Sequence, residues 1–536
     1  MQNFKPIQNK PNNLKKLFLT LFVAFATVCG FAQENTSVAL DEGIFHSGNV
    51  VLKGCFKGYP QDSLPKQILA MVRNYFTMEE DNQLVEVNAD GTFCDTVHVP
   101  HGQMCLVDAG VTQIGPFLFP GDTIEVLFAP SGVKYVPNSS MNSILGERSL
   151  LEENKRYGKS PYGDLSNPYP YTVNGNKDSV QLYIERNMEV MEQVAADIAS
   201  GAFDIPADFP PLLCEIVKND AMLVGLTNIA WVICKYNTNM NIVETDTLSG
   251  NSVARPNEDF VPLDLEPVKA FFAKHEKQLF DNPLLLFHNV QFWLPLNLLQ
   301  FSVYWQMMTH VYIPAKDKEE YYRNDRAELF ADSRFAALQE VQKMYGVSTD
   351  SFLSQLMLVS HFPAYGCEED FDDKVKGISR LIDNPIVKYH FEEYCKRQGK
   401  LPAVKNIADS DVARRLFSEY EGNVLFLDFW SMGCAPCRKG MIEQKPVVEH
   451  FKDKSVRFLY IASTENDDPV TARTWMSEKE IEGEALFITP NDWAALMGFL
   501  NFSATPSTFL IDTDGNVDNK HYTIPDLEKR IEELLK

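Results

Sequence analysis

The stretch that most constrains this chain is Val424-Leu425-Phe426-Leu427-Asp428-Phe429-Trp430-Ser431-Met432-Gly433-Cys434-Ala435-Pro436-Cys437-Arg438. An apolar run of strand length ends in a short loop, and two thiols follow with two residues between them. Ala435-Pro436 suits a first helical turn, where proline has no donor to lose. A cysteine at a helix N-terminus has its thiolate stabilised and its pKa lowered, which makes it nucleophilic. A partner two residues on lets dithiol and disulfide interchange with little backbone movement. That pattern is redox chemistry rather than a structural staple.

Zinc binding is the competing reading of a Cys-x-x-Cys, and it calls for a second such pair or a histidine pair downstream. Residues 438–536 contain no cysteine and only His450 and His521. Further on, Ala504-Thr505-Pro506-Ser507-Thr508-Phe509-Leu510-Ile511-Asp512-Thr513-Asp514-Gly515 reads as a proline, a strand and a hairpin turn.

On these residues the segment ~401–536 resembles the thioredoxin-like domain of the TlpA/ResA/CcmG group of extracytoplasmic thiol-disulfide oxidoreductases. The matching stretches are Asp428-Phe429-Trp430, Cys434-Ala435-Pro436-Cys437-Arg438-Lys439 and the run from Thr505 to Gly515. The resemblance implies that Cys434 attacks and Cys437 resolves the mixed disulfide. It implies a cis peptide before Pro506, with Pro506 packed against the cysteine pair and Thr505 beside Cys434. Asp428 would be a buried carboxylate that exchanges protons with Cys437. Gly433, Ala435 and Ile442 depart from the group's usual residues, which bears on redox potential and partner surface rather than on reaction class. No cofactor is implied beyond the redox-active Cys434–Cys437 disulfide. The implied partners are disulfide-bearing protein clients and a membrane thiol-disulfide electron donor.

The other end of the chain speaks to compartment. Lys15-Lys16 precede an apolar run from Leu17 to Val28, followed by Cys29-Gly30-Phe31-Ala32-Gln33. This reads as a cleavable signal peptide over residues 1–32, too short for a membrane span. Acylation at Cys29 is the alternative, for which Val28 is a poor preceding residue. The expected location is the periplasm or cell envelope. The formal charge is −24, and the first 32 residues hold four lysines and no acid, so cleavage leaves the chain more negative still. Such a surface argues against nucleic acid and anionic lipid as partners. Cleavage removes Cys29 and leaves an odd number of cysteines, so the chain is not a disulfide scaffold.

The predicted fold class is multi-domain α+β. A linker at 33–48 leads to a β-sandwich at 49–130, a helical region at 131–400 and the thioredoxin-like α/β domain at 401–536. Strands are expected from alternation at Asn49–Cys55, Gln67–Arg73, Leu84–Val87, Phe93–Val99, Met104–Val107 and Thr123–Phe128. Turn signals at Asn88-Ala89-Asp90-Gly91 and Pro120-Gly121-Asp122 resemble the small β-sandwich of unknown function that often precedes TlpA-like modules. Cys94, His98, His101 and Cys105 have a spacing that could ligate zinc. Yet the segment reads as a hairpin around Pro100-His101-Gly102, with Cys94, Thr96 and His98 opposite Phe93 and Val97.

In the helical region, apolar spacing predicts helices at Ser179–Ala199, Arg326–Met344 and Val375–Arg397. Pro283–Met308 carries His288, Asn289, Gln291, Pro295, Asn297 and Gln300 and reads as two buried helices rather than a membrane span. Its aromatic residues Phe287, Phe292, Trp293, Phe301, Tyr304 and Trp305 either pack a core or line a client groove. The acidic run Glu368–Asp373 reads as a solvated loop, with calcium binding as the alternative.

Two further function classes stay open. A binding protein could use the thioredoxin fold as a scaffold. A thiol peroxidase could use Ser431 in place of the threonine that precedes a peroxidatic cysteine, although Leu427 stands where such sites carry proline.

Overall fold

The computed structural model describes residues 42–136, 142, 176–207, 209–245, 252–287, 294–307, 312–313, 335, 337–360, 371–397, 405–518 and 524–536. The leader with Cys29, His288–Trp293, Glu368–Asp370 with Cys367, most of Arg326–Met344, and His521 lie outside the described residues.

Ten strands open the described chain: β1 Gly48–Phe56, β2 Gln67–Arg73, β3 Glu80–Glu86, β4 Thr92–Val99, β5 Gln103–Met104, β6 Leu106–Asp108, β7 Gln113–Ile114, β8 Phe117–Leu118, β9 Thr123–Ala129 and β10 Gly132–Val136. They form two four-stranded sheets, ordered β10-β9-β1-β4 and β3-β2-β6-β7, with a two-stranded β5-β8 ribbon. Alternation decides the inward face. Val50, Leu52, Phe93 and Val97 from one sheet share a core with Ile68, Ala70, Val72 and Val85 from the other. Gly54 lies where β1 and β9 run closest, since a Cβ there would stand 1.9 Å from the Val126 carbonyl oxygen.

Two turns do something other than expected. The Asn88–Gly91 turn closes locally, with Gly91 N–H donating to the Asn88 carbonyl. However, β3 and β4 belong to different sheets, with a bridge between Val87 and Phe93 and the Gln83 side chain bonded to the His98 backbone between them, so the turn is a corner between layers rather than a hairpin. Pro100–Gly102 is not a hairpin either: β4 pairs with β1, whereas β5 pairs with β8. Burying both Val97 and Phe117 requires the chain to change layer at this point.

The helical region comprises α1 Lys177–Ser200, α2 Pro211–Asn237, α3 Glu266–Lys274, α4 Glu276–Leu279, α5 Leu294–Met307, α6 Phe352–Ser360, α7 Phe371–Ser379 and α8 Pro385–Arg397. A three-stranded sheet of β11 Asn241–Thr245, β12 Ser252–Pro256 and β13 Tyr312–Ile313 interrupts it, an element that helical periodicity does not reveal. α2 is long and apolar enough to cross a membrane, yet 72% of its most apolar window is buried against protein, as a core helix requires. Val375–Arg397, expected as one helix, is two. Asn384 precedes Pro385 and so avoids helical geometry, and its Oδ1 accepts the Ile386 N–H at 3.1 Å to cap the second piece.

The C-terminal region contains α9 Asp411–Phe417, β14 Val424–Phe429, α10 Ala435–Glu443, α11 Lys445–His450, β15 Val456–Ser463, α12 Pro469–Glu478, β16 Glu484–Ile488, α13 Pro490–Leu500, β17 Ser507–Ile511 and α14 Ile524–Leu534. Its sheet order is β16-β15-β14-β17, with β14 parallel to β15 and antiparallel to β17. The helical run that begins at Ala435 breaks at Gln444, because Pro446 cannot donate to the preceding turn. α9 is flanked by two 3-10 turns, Ile407–Asp409 and Ser418–Tyr420.

The strand-rich and helical regions both pack on their neighbours. His390 of α8 donates from Nε2 to the Phe45 carbonyl at 2.7 Å and stacks on Phe76 with ring centroids 3.8 Å apart. Leu69, Met71 and Leu84 of β2 and β3 join the core beneath α13.

Candidate active site

β14 is buried along its whole length, so its residues alternate between two cores. Leu425, Leu427 and Phe429 face the core shared with α13. Val424, Phe426 and Trp430 face the other, with Cys437 and Met441 of α10 and Tyr460 of β15. The alternation therefore puts Asp428 on the side of the sheet that α10 covers.

From Trp430 the chain leaves the sheet, and its N–H is the last to bond across it, to the Ile461 carbonyl at 3.0 Å. Asp467, itself buried, accepts the Met432 N–H at 2.8 Å, and the Arg438 guanidinium donates to the Met432 carbonyl. The loop is thus held from both sides as it delivers Cys434 to the N-cap of α10. There Cys434 Sγ accepts the Cys437 N–H at 3.1 Å. Cys434 and Cys437 are joined as a disulfide, with Cα atoms 5.3 Å apart. Cys434 is half-buried and Cys437 is 1% exposed. An incoming nucleophile or client sulfur therefore meets Cys434.

The Thr505–Pro506 peptide is cis. Thr505 is half-buried and Pro506 exposed. Ser507, the next residue, pairs with Phe429, so the loop carrying Thr505 and Pro506 enters the sheet at the end where β14 delivers the cysteines.

Asp428 is 2% exposed, and its Oδ1 has no hydrogen-bond partner. Burial pushes its carboxyl up to about 7, opposed only by a side-chain hydrogen bond from Gln444. Its register neighbour Tyr460 is buried, and burial plus the nearby carboxyl raise that phenol, which keeps it neutral. Gln444 and Tyr460 were not among the residues singled out from sequence. The available signal was a glutamine at the third position of the stripe Cys437, Met441, Gln444, whose spacing points all three at the sheet.

The four possible zinc ligands do not converge. Cys94 and His98 are exposed on the outer face of β4, whereas Cys105 and His101 are buried. His101 bonds through Nδ1 to the Gly102 carbonyl at 2.8 Å, and burial pulls its pKa down to about 4. Among the described residues, one cluster has metal-ligand proximity, the exposed His450, Glu528 and Glu532, and there Lys454 Nζ already lies 2.8 Å from His450 Nε2.

A half-buried, loop-delivered disulfide at the end of a mixed four-stranded sheet, with a cis-proline loop entering the sheet at that same end, has the layout of a thioredoxin-fold redox site. Residues 400–520 match the AhpC/TSA family. A stretch of 114 residues is 22% identical to the thiol-disulfide oxidoreductase ResA of Bacillus cereus, covering 21% of this chain and 63% of the relative. The Bacillus subtilis ResA is 24% identical over 111 residues, covering 21% of this chain and 59% of that protein. Among solved structures, a thiol:disulfide interchange protein of the thioredoxin family from Chlorobium tepidum aligns at 21% identity, covering 22% of this chain and 85% of that one, with a TM-score of 0.20. The C-terminal region is similar to TlpA/ResA-like thioredoxin-fold domains, and these relatives carry the name thiol-disulfide oxidoreductase. The strand-rich and helical regions lie outside the matched segment, which spans less than two thirds of the first relative's own length.

Proposed function

We propose that this protein is an extracytoplasmic thiol-disulfide oxidoreductase that reduces disulfides in protein clients. The observation that carries the reading is the Cys434–Cys437 disulfide at the N-terminus of α10, with one sulfur accessible and the other buried. In the reduced protein the Cys434 thiolate attacks a client disulfide, forming a mixed disulfide and releasing one client thiolate. Cys437 then gives its proton to Asp428 and attacks the Cys434 sulfur. The second client sulfur leaves as a thiolate, and the pair is left oxidised by two electrons. The buried carboxyl of Asp428 on the covered sheet face supports its part in that step. A membrane thiol-disulfide donor would return the electrons, in keeping with the signal-like leader read from the sequence.

The strand-rich and helical regions would position or select clients. A cavity of about 330 Å³ beside the Thr505–Pro506 loop favours that role, being walled by Glu80 of β3 on one side and by Asn501, Ser503 and Ala504 on the other. It adjoins a larger space of about 950 Å³ that reaches Tyr389 and Arg397 of α8.

The test is reduction of insulin by dithiothreitol with the full mature chain. The parent should catalyse it and Cys434→Ser should not; equal activity in the two would refute the assignment. The AhpC/TSA match favours thiol peroxidase as a second reading, with Ser431 receiving the Cys434 N–H on its carbonyl at 3.0 Å. Consumption of hydroperoxide with the thiol pair as reductant would identify that activity. A purely scaffolding role would leave both assays silent.

A further inference from the structure

Four buried polar atoms without hydrogen-bond partners belong to residues on the sheet face that α10 covers: Asp428 Oδ1, Gln444 Oε1, the Tyr460 hydroxyl and the Trp430 indole Nε1. Unmatched polar atoms are costly in a core, and one of these residues has no evident packing reason to be polar. Gln444 is 3% exposed on a stripe otherwise built from Cys437 and Met441, and it continues into Val447 and Val448. Leucine or methionine would fill that volume without an unsatisfied carbonyl. The break between α10 and α11 falls at Gln444, whose own N–H still bonds to Gly440 at 2.9 Å. The backbone is therefore satisfied, and only the side chain needs explaining.

We propose that Gln444 is a positioning residue for the redox pair: its amide holds the Asp428 side chain in place through both protonation states, donating N–H to the carboxylate and accepting O–H from the acid. This rests on the role proposed above for Asp428. An amide presents a donor and an acceptor on one planar group, exchanged by rotation about its last side-chain bond. A lysine or arginine in its place would bond only to the carboxylate and would trap the deprotonated form. A leucine would bond to neither. Gln444 thus suits a carboxyl that takes a proton and gives it back without moving. The unpaired Oε1 is the acceptor used when Asp428 is protonated, and the unpaired Oδ1 of Asp428 stays available toward α10.

The groups facing Asp428 are few. Tyr460 comes from β15, Thr508 pairs with it from β17, Cys437 lies on α10, and Gln444 is at the α10–α11 break. Among the described residues no charged group contributes to the Asp428 titration; its causes are burial and Gln444. The amide bond is therefore the one specific contact available to tune it.

The experiment follows the pH dependence of mixed-disulfide resolution by stopped flow, in the full mature chain carrying Gln444→Leu or Gln444→Lys. Gln444→Leu withdraws a hydrogen bond from the carboxylate, so the resolution midpoint should move up by about one pH unit and the rate at pH 7 should fall roughly tenfold. Gln444→Lys should move the midpoint down. The attack by Cys434 should be unaltered in both. A residue that merely packs would lower the melting temperature and leave the midpoint in place. Midpoints within about 0.3 unit of the parent in both variants would overturn the proposal. Leucine adds apolar volume to an apolar stripe, so that variant should fold even if the lysine one does not. Failure of the parent to reduce insulin would instead overturn the functional reading on which the proposal stands.

Discussion

Asn82 and Asn501 clasp each other across the boundary between the strand-rich region and the redox domain. The Asn82 N–H donates to Asn501 Oδ1 at 2.9 Å, and Asn82 Nδ2 donates to the Phe502 carbonyl at 2.7 Å. Asn501 Nδ2 completes the clasp by donating to the Glu80 carbonyl at 2.5 Å. Asn501 ends α13 in left-handed geometry, with φ 61°, which asparagine tolerates better than most residues. The loop that follows carries Thr505 and Pro506, so β3 is fastened to the segment that leads into β17.

Asn501→Ala removes a donor and an acceptor from this boundary and leaves the Asn82 N–H without its partner. The expected cost is about 1–3 kcal/mol. Amide exchange should quicken in β3 and in residues 501–506 while the core strand β14 keeps its protection. Unchanged exchange in β3 would show that the apolar contacts of Leu69 and Leu84 hold the boundary alone.

Cys437→Ala should trap clients, because a mixed disulfide on Cys434 then has no resolving thiol. Non-reducing gels of envelope extracts should show adducts that disappear with reductant. A Cys434→Ser/Cys437→Ala double variant sets the background, and no band above it would count against client reduction.

Asp428→Asn keeps the shape of the side chain and cannot carry a proton. Resolution by Cys437 should slow roughly ten- to a hundredfold near neutral pH, while attack by Cys434 changes much less. Stopped-flow rates unchanged from the parent's in both steps across roughly pH 6–9 would remove Asp428 from the proton path.

The same carboxyl makes stability depend on pH. Burial raises it from 3.8 to about 7, so it favours the folded state most below its unfolded value, and that contribution is lost as pH climbs through about 7. Above that, the buried carboxylate costs the fold roughly 4 kcal/mol relative to low pH. Asp428→Asn should therefore gain stability over the parent between pH 4.5 and pH 8, read from urea unfolding of the oxidised proteins. A parent-to-variant difference that stays flat with pH would mean that the carboxyl is solvated.

The redox element was legible in the linear chain because its chemistry is local. An apolar strand, two thiols one turn apart and a proline in the first helical turn need no distant residue to declare themselves. β1, β2, β4 and β9 were legible for the same reason, since alternation of period two follows from which face is buried. The break at Gln444 and the helix stop before Pro385, where one helix was expected over Val375–Arg397, are both proline effects. At Pro385 apolar spacing continued across the break and masked it.

What the sequence by itself determined is the pair of thiols and the strand that delivers them, both set by short-range sterics and the dipole of one helix. Tertiary structure alone decided the rest. The Asn88–Gly91 turn became a corner because Phe93 and Val85 have to reach one core from two sheets. Gln444 became Asp428's partner because β14 and α10 pack face to face, a relationship between residues sixteen apart that no spacing rule encodes. The clasp of Asn82 with Asn501 joins residues more than four hundred positions apart. Burial is a property of the whole fold, and it is burial that turns an ordinary aspartate into a carboxyl able to hold a proton near neutrality.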